Sequence, residues 1–170
     1  TPSSAASDVY KRQHKNSNGS VKLMNQSSRS GEDERFGLLV LRHGSSNIND
    51  IKLDDIKISE IYPTPSNSDN NHQGYGIRFE SLNDDSVLNY YDGIEIENLD
   101  ISNTGHYGIH IVNRMSGAQP DYYHRNIVIK DSKFNNTGGS GIVLARCKDV
   151  LVENSEFKGS GSGTVSYTHL

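Results

Sequence analysis

Two short stretches of the chain combine side chains that are suited to moving a proton beside a bound anion. They read YGIR from residue 75 and YGIH from residue 107. Histidine titrates near neutral pH and can act as a base, and arginine can neutralise a carboxylate. The pattern predicts His110 as a base and Arg78 as a neutralising cation, with Tyr107, or alternatively Tyr75, as the acid. Such a set would remove a proton from a carbon next to a carboxylate.

Both stretches belong to an internal repeat. Three segments align directly: residues 93–111 (GIEIENLDISNTGHYGIHI), 126–144 (NIVIKDSKFNNTGGSGIVL) and 149–163 (DVLVENSEFKGSGSG), with a looser copy over 50–61 that resumes at 76–79. Apolar and polar residues alternate in three short bursts per copy, which is the pattern of strands. The repeat predicts an all-β, right-handed parallel β-helix (a solenoid), of which the chain holds an incomplete fragment of about four to six coils.

Stacking the copies places residues of one kind above one another. In the first strand of each coil we expect an apolar file of Ile51, Ile94, Ile127 and Val150. The second strand should carry a file of Ile58, Ile101, Phe134 and Phe157 inside, with charges of alternating sign outside, at Lys57, Asp100, Lys133 and Glu156. The bend before that strand repeats an Asp or Asn, at Asp55, Asn98, Asp131 and Asn154.

The third strand of each coil carries the candidate chemistry. Its inward positions are predicted at Leu38, Ile77, Ile109 and Ile142, and its outward column at Leu39, Arg78, His110 and Val143. Arg78 and His110 should then be neighbours about 5 Å apart. Such a pair requires an anion or a substrate to compensate the positive charge. Because the insertions at 62–75, 80–92 and 112–125 all adjoin this strand, its outer face is predicted to be a binding groove.

Composition narrows the possible partners. The 170 residues have a net charge of −4 and contain no cluster of Lys and Arg, so we expect no binding to nucleic acid or to a membrane surface. No apolar run approaches the roughly 20 residues that cross a bilayer. Cys147 is the single cysteine, which excludes an intrachain disulfide. We expect one domain and a monomer.

The two ends differ from the rest of the chain. Residues 1–13 (TPSSAASDVYKRQ) and 165–170 (VSYTHL) resemble translated sequencing adapter. We therefore expect both to be tails outside the fold and residues 14–164 to form the β-helix. A chain with such ends is expected to be an internal fragment of a longer protein, so its start carries no information on an export signal.

The repeat resembles a known group of proteins. The motifs G-I-x-I and [ND]-x-x-[IF]-x-N-T-G, over about residues 36–163, are similar to the coils of the pectate-lyase-like superfamily. The resemblance implies a secreted or cell-surface protein that acts on a polysaccharide, since the members are mostly polysaccharide lyases, glycoside hydrolases and epimerases. It is specific for the fold and weak for the chemistry, because a fold does not fix a function.

Within that resemblance, we expect a lyase that cleaves an acidic, uronate-containing polysaccharide by β-elimination. The catalytic candidates are His110, Arg78 and Tyr107. Arg146, together with Asn113, is the alternative neutralising group. Further residues of the groove or its loops are expected to bind substrate, namely Arg42, Tyr75, Glu80, Asn113, Arg146, Tyr122, Tyr123 and Arg125.

Two alternatives remain open at the level of sequence. A glycoside hydrolase would need two carboxylates about 5–9.5 Å apart, for which Glu80, Asp84 and Asp85 are the candidates. A β-helix without catalysis could serve as a glycan-binding or adhesive protein. No metal site is predicted, although calcium is a possible cofactor through oxygen ligands in the loops, at Asp69, Asn70, Asn71, Asp84 and Asp85.

Overall fold

The computed structural model describes residues 34–42, 48–61, 73–82, 90–114, 123–161 and 163–168. These ranges contain thirteen β-strands and no helix. In chain order the strands are β1 (Glu34–Arg42), β2 (Ile48–Asp54), β3 (Lys57–Ile61), β4 (Gln73–Leu82), β5 (Tyr91–Glu97), β6 (Asp100–Thr104), β7 (Ile109–Arg114), β8 (His124–Lys130), β9 (Lys133–Thr137), β10 (Ser140–Ala145), β11 (Cys147–Glu153), β12 (Glu156–Lys158) and β13 (Gly163–Thr168).

The strands form three parallel sheets, and each coil of chain contributes one strand to each sheet. The first sheet has the order β11-β8-β5-β2, the second β12-β9-β6-β3 and the third β1-β4-β7-β10-β13. Four successive coils, preceded by β1, therefore stack into a parallel β-helix. The all-β solenoid predicted from the repeat is confirmed.

The predicted apolar files lie in register. Ile51 pairs with Ile94, Ile94 with Ile127, and Ile127 with Val150 in the first sheet. In the second sheet the file of Ile58, Ile101, Phe134 and Phe157 is likewise continuous. Phe134 is fully buried, and its ring stacks on that of Phe157 with the centroids 4.9 Å apart. These files form the core, which explains how a chain with short strands buries enough apolar surface to fold.

The outward charges of the second sheet also lie as predicted. Lys57, Asp100, Lys133 and Glu156 occupy successive register positions. Lys57 Nζ lies 2.9 Å from Asp100 Oδ2, and both side chains are substantially exposed. An exposed pair of this kind contributes about 0–1 kcal/mol, so the column helps to fix the register more than it stabilises the fold.

Three columns of residues adopt left-handed backbone conformations, one at the bends between the first and second sheets and two largely within strands. The predicted bend is one of them, with φ between 47° and 55° at Asp55, Asn98, Asp131 and Asn154. Two further columns were not predicted: Asp50, Gly93, Asn126 and Asp149 in the first sheet, and Glu60, Asn103, Asn136 and Gly159 in the second. Asparagine, aspartate and glycine tolerate this conformation best. Asn side chains also bond between coils, as where Asn136 Nδ2 donates to Asn103 Oδ1 over 2.8 Å.

A column of glycines lies in the N-terminal part of the third sheet, inside β1 and β4 and directly before β7. A Cβ atom built on Gly76 would lie 2.5 Å from the carbonyl oxygen of Gly108 and 2.8 Å from Ile101 Cγ2. Gly37 and Gly108 have equivalent close contacts with the next coil. The glycine of the G-I-x-I motif is thus required because a side chain there would collide with the backbone and the core of the adjacent coil.

The C-terminal strand crosses a boundary expected from the sequence. Residues 165–170 resemble adapter sequence, yet β13 spans Gly163–Thr168 and pairs in parallel with β10. Val165 lies opposite Ile142 in this pairing, so the apolar alternation of the third sheet continues across the boundary. Across the described ranges there is no helix with the length and apolarity needed to span a bilayer.

Candidate functional site

The outer face of the third sheet has the arrangement predicted from the repeat. Arg78 lies opposite His110 in the pairing of β4 with β7. Leu39 lies beside Arg78 on one side, and Val143 lies beside His110 on the other. The alternation with the buried Ile77 and Ile109 assigns Arg78 and His110 to the outer face.

Tyr75 forms the centre of a ring cluster on this face. Its ring is buried and stacks on Phe36 at 5.5 Å and on His110 at 5.4 Å between centroids, with interplanar angles of 14° and 17°. The guanidinium carbon of Arg78 lies 4.8 Å from the centroid of the Tyr75 ring, in cation–π range. These contacts fix the plane of the His110 imidazole against a rigid aromatic support.

Tyr107 lies next to His110 and is accompanied by a second imidazole. The rings of Tyr107 and His110 meet edge to face at 5.2 Å, and His106 stacks on Tyr107 at 3.6 Å. All three side chains are partly exposed. Partial burial raises the pKa of the Tyr107 phenol above the usual value for tyrosine. At neutral pH Tyr107 is therefore a hydroxyl donor beside a group that can accept a proton.

The turn of the following coil leaves room for these rings. A Cβ atom on Gly139 would lie 2.7 Å from Tyr107 Cε1 and 2.9 Å from His106 Cδ2. Any larger residue at position 139 would displace one of the two rings. The contact of His106 with Tyr107 depends on this turn, which the strand pattern does not describe.

Arg78 does not present its charge to solvent. The residue is 2% exposed, and its Nε lies 3.0 Å from Oε2 of Glu80, which is also buried. Arg78 and Glu80 are two positions apart on one strand and so share the outer face. Glu80 thus supplies the anion that the positive charge of Arg78 requires. Arg78 and Glu80 are therefore buried and do not line the open surface of the site.

Asn113 lies inside the solenoid. It is 5% exposed and follows the alternation of Ile109 and Ile111 toward the core, and it lies opposite the buried Ser81. Arg146 follows β10 with a left-handed backbone, φ 57°, and its side chain is partly exposed. Strand β1 ends at Arg42, and the side chain of that residue lies outside the described part of the molecule.

Arg125, which the sequence predicts to bind substrate together with Tyr122 and Tyr123, lies on the outer face of the first sheet. Arg125 points outward, where its Nε lies 3.0 Å from Asp92 Oδ2 and its guanidinium covers the Tyr90 ring at 4.4 Å. Tyr123 is partly exposed at the start of this segment, and Tyr122 lies outside the described residues. The structure therefore places Arg125 on the first sheet, whereas His110 lies on the third.

The neighbouring His124 belongs to the interior of the solenoid. It is fully buried, and its Nδ1 accepts a hydrogen bond from the backbone N–H of Tyr91 over 3.0 Å. The Tyr91 hydroxyl in turn lies 2.9 Å from the carbonyl oxygen of Val40 and 3.0 Å from that of Glu80. Tyr91 thus links the first sheet to the strand that carries Arg78 and Glu80, a link that no sequence motif indicated.

Neither a reactive thiol nor a metal cluster accompanies the site in the described ranges. Burial raises the pKa of the Cys147 thiol to about 12, so the residue is not a nucleophile at neutral pH. No group of three or more His, Cys, Asp or Glu side chains is arranged to hold a metal ion among the residues described. The loop residues with oxygen atoms that could bind calcium, 69–71, 84 and 85, lie outside those residues.

The structure is a parallel β-helix that carries a polar site, lined by aromatic and imidazole rings, on the outer face of its third sheet. Comparison with protein-family models, curated proteins and solved structures found no match for the chain. The chemistry of this face therefore has to be argued from its own residues. A base, a hydroxyl donor and stacking rings in one partly exposed cluster are suited to binding a sugar ring and transferring protons on it.

Proposed function

We propose that the chain is part of a secreted or cell-surface protein of the pectate-lyase-like superfamily that binds an acidic polysaccharide on the third sheet and cleaves it by β-elimination. The observation that carries the proposal is the edge-to-face contact of His110 with Tyr107 on a partly exposed surface. Aromatic rings favour the apolar faces of sugars, while the imidazole and the hydroxyl supply the base and the acid.

The proposed reaction uses these two side chains in sequence. His110 takes the proton from the sugar carbon that bears the carboxylate. The electrons of that C–H bond form a carbon–carbon double bond as the adjacent glycosidic C–O bond breaks. Tyr107 donates its proton to the departing oxygen, and its raised pKa keeps the phenol protonated at neutral pH before the reaction.

The uronate carboxylate also needs a positive or hydrogen-bonding partner. Arg78 is buried against Glu80 and does not reach the open surface. We assign the role to Arg146, which is partly exposed at the end of β10. Tyr75 is the support on which His110 stacks, and Tyr107 presents the ring available for stacking on a sugar.

The test is incubation of the chain with a panel of uronate polysaccharides while the absorbance of the unsaturated product is followed. Wild type should generate this product. His110→Ala and Tyr107→Phe should each lower turnover by about 10²-fold or more, the scale of general acid–base catalysis. Asn135→Ala, a partly exposed change on the second sheet, is the control and should keep wild-type turnover. Full activity of His110→Ala would contradict the assignment.

A second function, glycan binding without cleavage, is favoured by one observation. The charge of Arg78 is compensated by Glu80 within the chain, so substrate is not needed to balance it. A binding protein of this kind would retain uronate oligosaccharides without forming unsaturated ends. New reducing ends that appear without unsaturation would instead indicate a hydrolase. Of the carboxylates considered for hydrolysis, Glu80 is buried, and Asp84 and Asp85 lie outside the described residues.

A further inference from the structure

The outer face of the first sheet carries two cations side by side. Arg125 lies opposite Asp92 in the pairing of β5 with β8, and opposite Lys148 in the pairing of β8 with β11. Neighbouring strands are about 4.8 Å apart, so Arg125 and Lys148 are direct neighbours across coils. In the second sheet, by contrast, the outward column alternates in sign from Lys57 to Glu156. The like-signed pair departs from this pattern, although like charges directly opposite each other are destabilising.

Arg125 is held in one orientation by its neighbours. Its Nε donates to Asp92 Oδ2 over 3.0 Å, and its Nη2 donates to the Tyr90 hydroxyl. Its guanidinium carbon lies 4.4 Å from the centroid of the Tyr90 ring. Asn126 Nδ2 donates to the other carboxylate oxygen of Asp92 over 2.7 Å, so that carboxylate is fixed as well. The Arg125 side chain is still 34% exposed, and these bonds occupy only part of its donor set. A guanidinium already held in place loses little freedom when it binds a further group.

Lys148 adds positive charge to this region. It is partly exposed and forms no ion pair within the described part of the chain. The starts of three successive coils (residues 90–93, 123–126 and 146–149) hold three cations and two acids, namely Arg125, Arg146, Lys148, Asp92 and Asp149. This local excess of positive charge contrasts with the net charge of −4 of the whole chain. An anion bound between Arg125 and Lys148 would relieve their repulsion.

We propose that Arg125 and Lys148 form an anion-binding site on the first sheet that takes the carboxylate of an acidic sugar. A guanidinium binds a carboxylate through two parallel hydrogen bonds, and an ammonium adds a point charge. Tyr123 favours a sugar as the ligand. It is partly exposed, and the alternation with the buried His124 assigns it to the same outer face as Arg125. Aromatic rings favour the apolar faces of sugars.

This site is separate from the candidate site on the third sheet. It goes beyond the proposed function, because it does not require the chain to cleave a glycan.

The experiment is an NMR titration of the full chain with sodium glucuronate, followed at the Nε–H signal of Arg125 and the backbone N–H signal of Lys148. Glucose, which carries a hydroxymethyl group in place of the carboxylate, is the matched probe. The titration extends to about 100 mM, because two partly exposed cations should hold a monosaccharide only at millimolar concentrations. Glucuronate should shift both signals along one binding curve, and glucose should leave both in place.

Variants separate this site from a general effect of charge. Lys148→Gln and Arg125→Gln, each followed at the signal that remains, should weaken glucuronate binding about threefold or more, the scale of a partly exposed charged contact. Lys133→Gln, which removes an exposed cation from the second sheet, is the matched control and should keep wild-type affinity. His110→Ala should also keep it, since His110 lies on another sheet.

No shift with glucuronate, equal shifts with glucose, wild-type affinity in Lys148→Gln or loss of binding in His110→Ala would each overturn the proposal. Equal affinity for acetate and glucuronate would overturn the assignment to a sugar. Arg125→Gln leaves Asp92 without its cation, so if that variant does not fold, Lys148→Gln carries the test alone. Carboxylate-dependent binding at Arg125 in a chain that cleaves no uronate polysaccharide would support this site and refute the proposed function.

Discussion

The glycine column at the entry to the third sheet makes a strong prediction for Gly76→Ala. The added methyl carbon would lie 2.5 Å from the carbonyl oxygen of Gly108 and 2.8 Å from Ile101 Cγ2. Neither atom can move freely. The Gly108 carbonyl already accepts a hydrogen bond of 2.8 Å from the backbone N–H of Ile77, and Ile101 is fully buried in the core file.

The size of the effect follows from these contacts. Overfilling a packed interior costs about 1–3 kcal/mol, and weakening the hydrogen bond to Gly108 costs about 1 kcal/mol more. Replacing a glycine restricts the unfolded chain and returns about 0.4–1 kcal/mol. Gly76→Ala should therefore lower the free energy of unfolding by about 1–3.5 kcal/mol.

Urea denaturation followed by circular dichroism measures this difference. Asn135→Ala is the control, since a partly exposed change on a strand of the second sheet should alter stability by no more than about 0.5 kcal/mol. A Gly76→Ala variant as stable as this control would refute the reasoning. In that case the close approach of the coils at Gly76 and Gly108 would not be what requires glycine.

Three further predictions concern single groups. Cys147 should not react with a thiol reagent in the folded chain at pH 8 and should react fully in denaturant, because burial raises its pKa to about 12; equal rates in both conditions would contradict its placement. The pKa of Glu97 is lowered to about 2, chiefly by its hydrogen bond from Lys130. The pair therefore stabilises the fold at pH values above the ordinary pKa of glutamate, and this contribution is lost as the pH falls from about 4.5 to 2. The stability difference between wild type and Glu97→Gln should therefore shrink over that window in acid titrations, and a constant difference would show that the pKa of Glu97 is not lowered in the folded chain. The alkaline limb of the pH–rate profile for lyase activity should lie at higher pH than an ordinary tyrosine titration, because burial raises the pKa of Tyr107 and the acid acts in its protonated form. A limb near neutral pH would assign the role of acid to another group.

The register of the coils could be predicted from sequence because several columns agree. Ile51 and Ile94, or Lys57 and Asp100, are each weak matches alone, but the apolar files, the charges and the bends all agree on the same alignment. The backbone columns headed by Asp50 and Glu60 were missed. Their residue types vary from coil to coil, so no single side chain marks the left-handed position.

The candidate site was predicted less completely, since the burial of its residues depends on contacts between side chains of neighbouring strands in the third sheet. The pairing of Arg78 with Glu80 carried a usable signal, because residues two apart on a strand share a face. The same alternation places Asn113 with the inward Ile109 and Ile111, so its burial was also predictable. The stacking of His106 on Tyr107 was not, since it arises from a turn whose geometry the strand pattern does not fix.

The location of the glycan site is the central claim, and NMR mapping of a bound uronate oligosaccharide tests it most directly. With assigned backbone and imidazole signals, the oligosaccharide should shift resonances of Tyr107, His110 and Arg146 on and beside the third sheet. The charged outer face of the first sheet, around Lys52 and Lys130, should remain unchanged. Shifts confined to that first-sheet face, with His110 and Tyr107 unaffected at saturating ligand, would contradict the account.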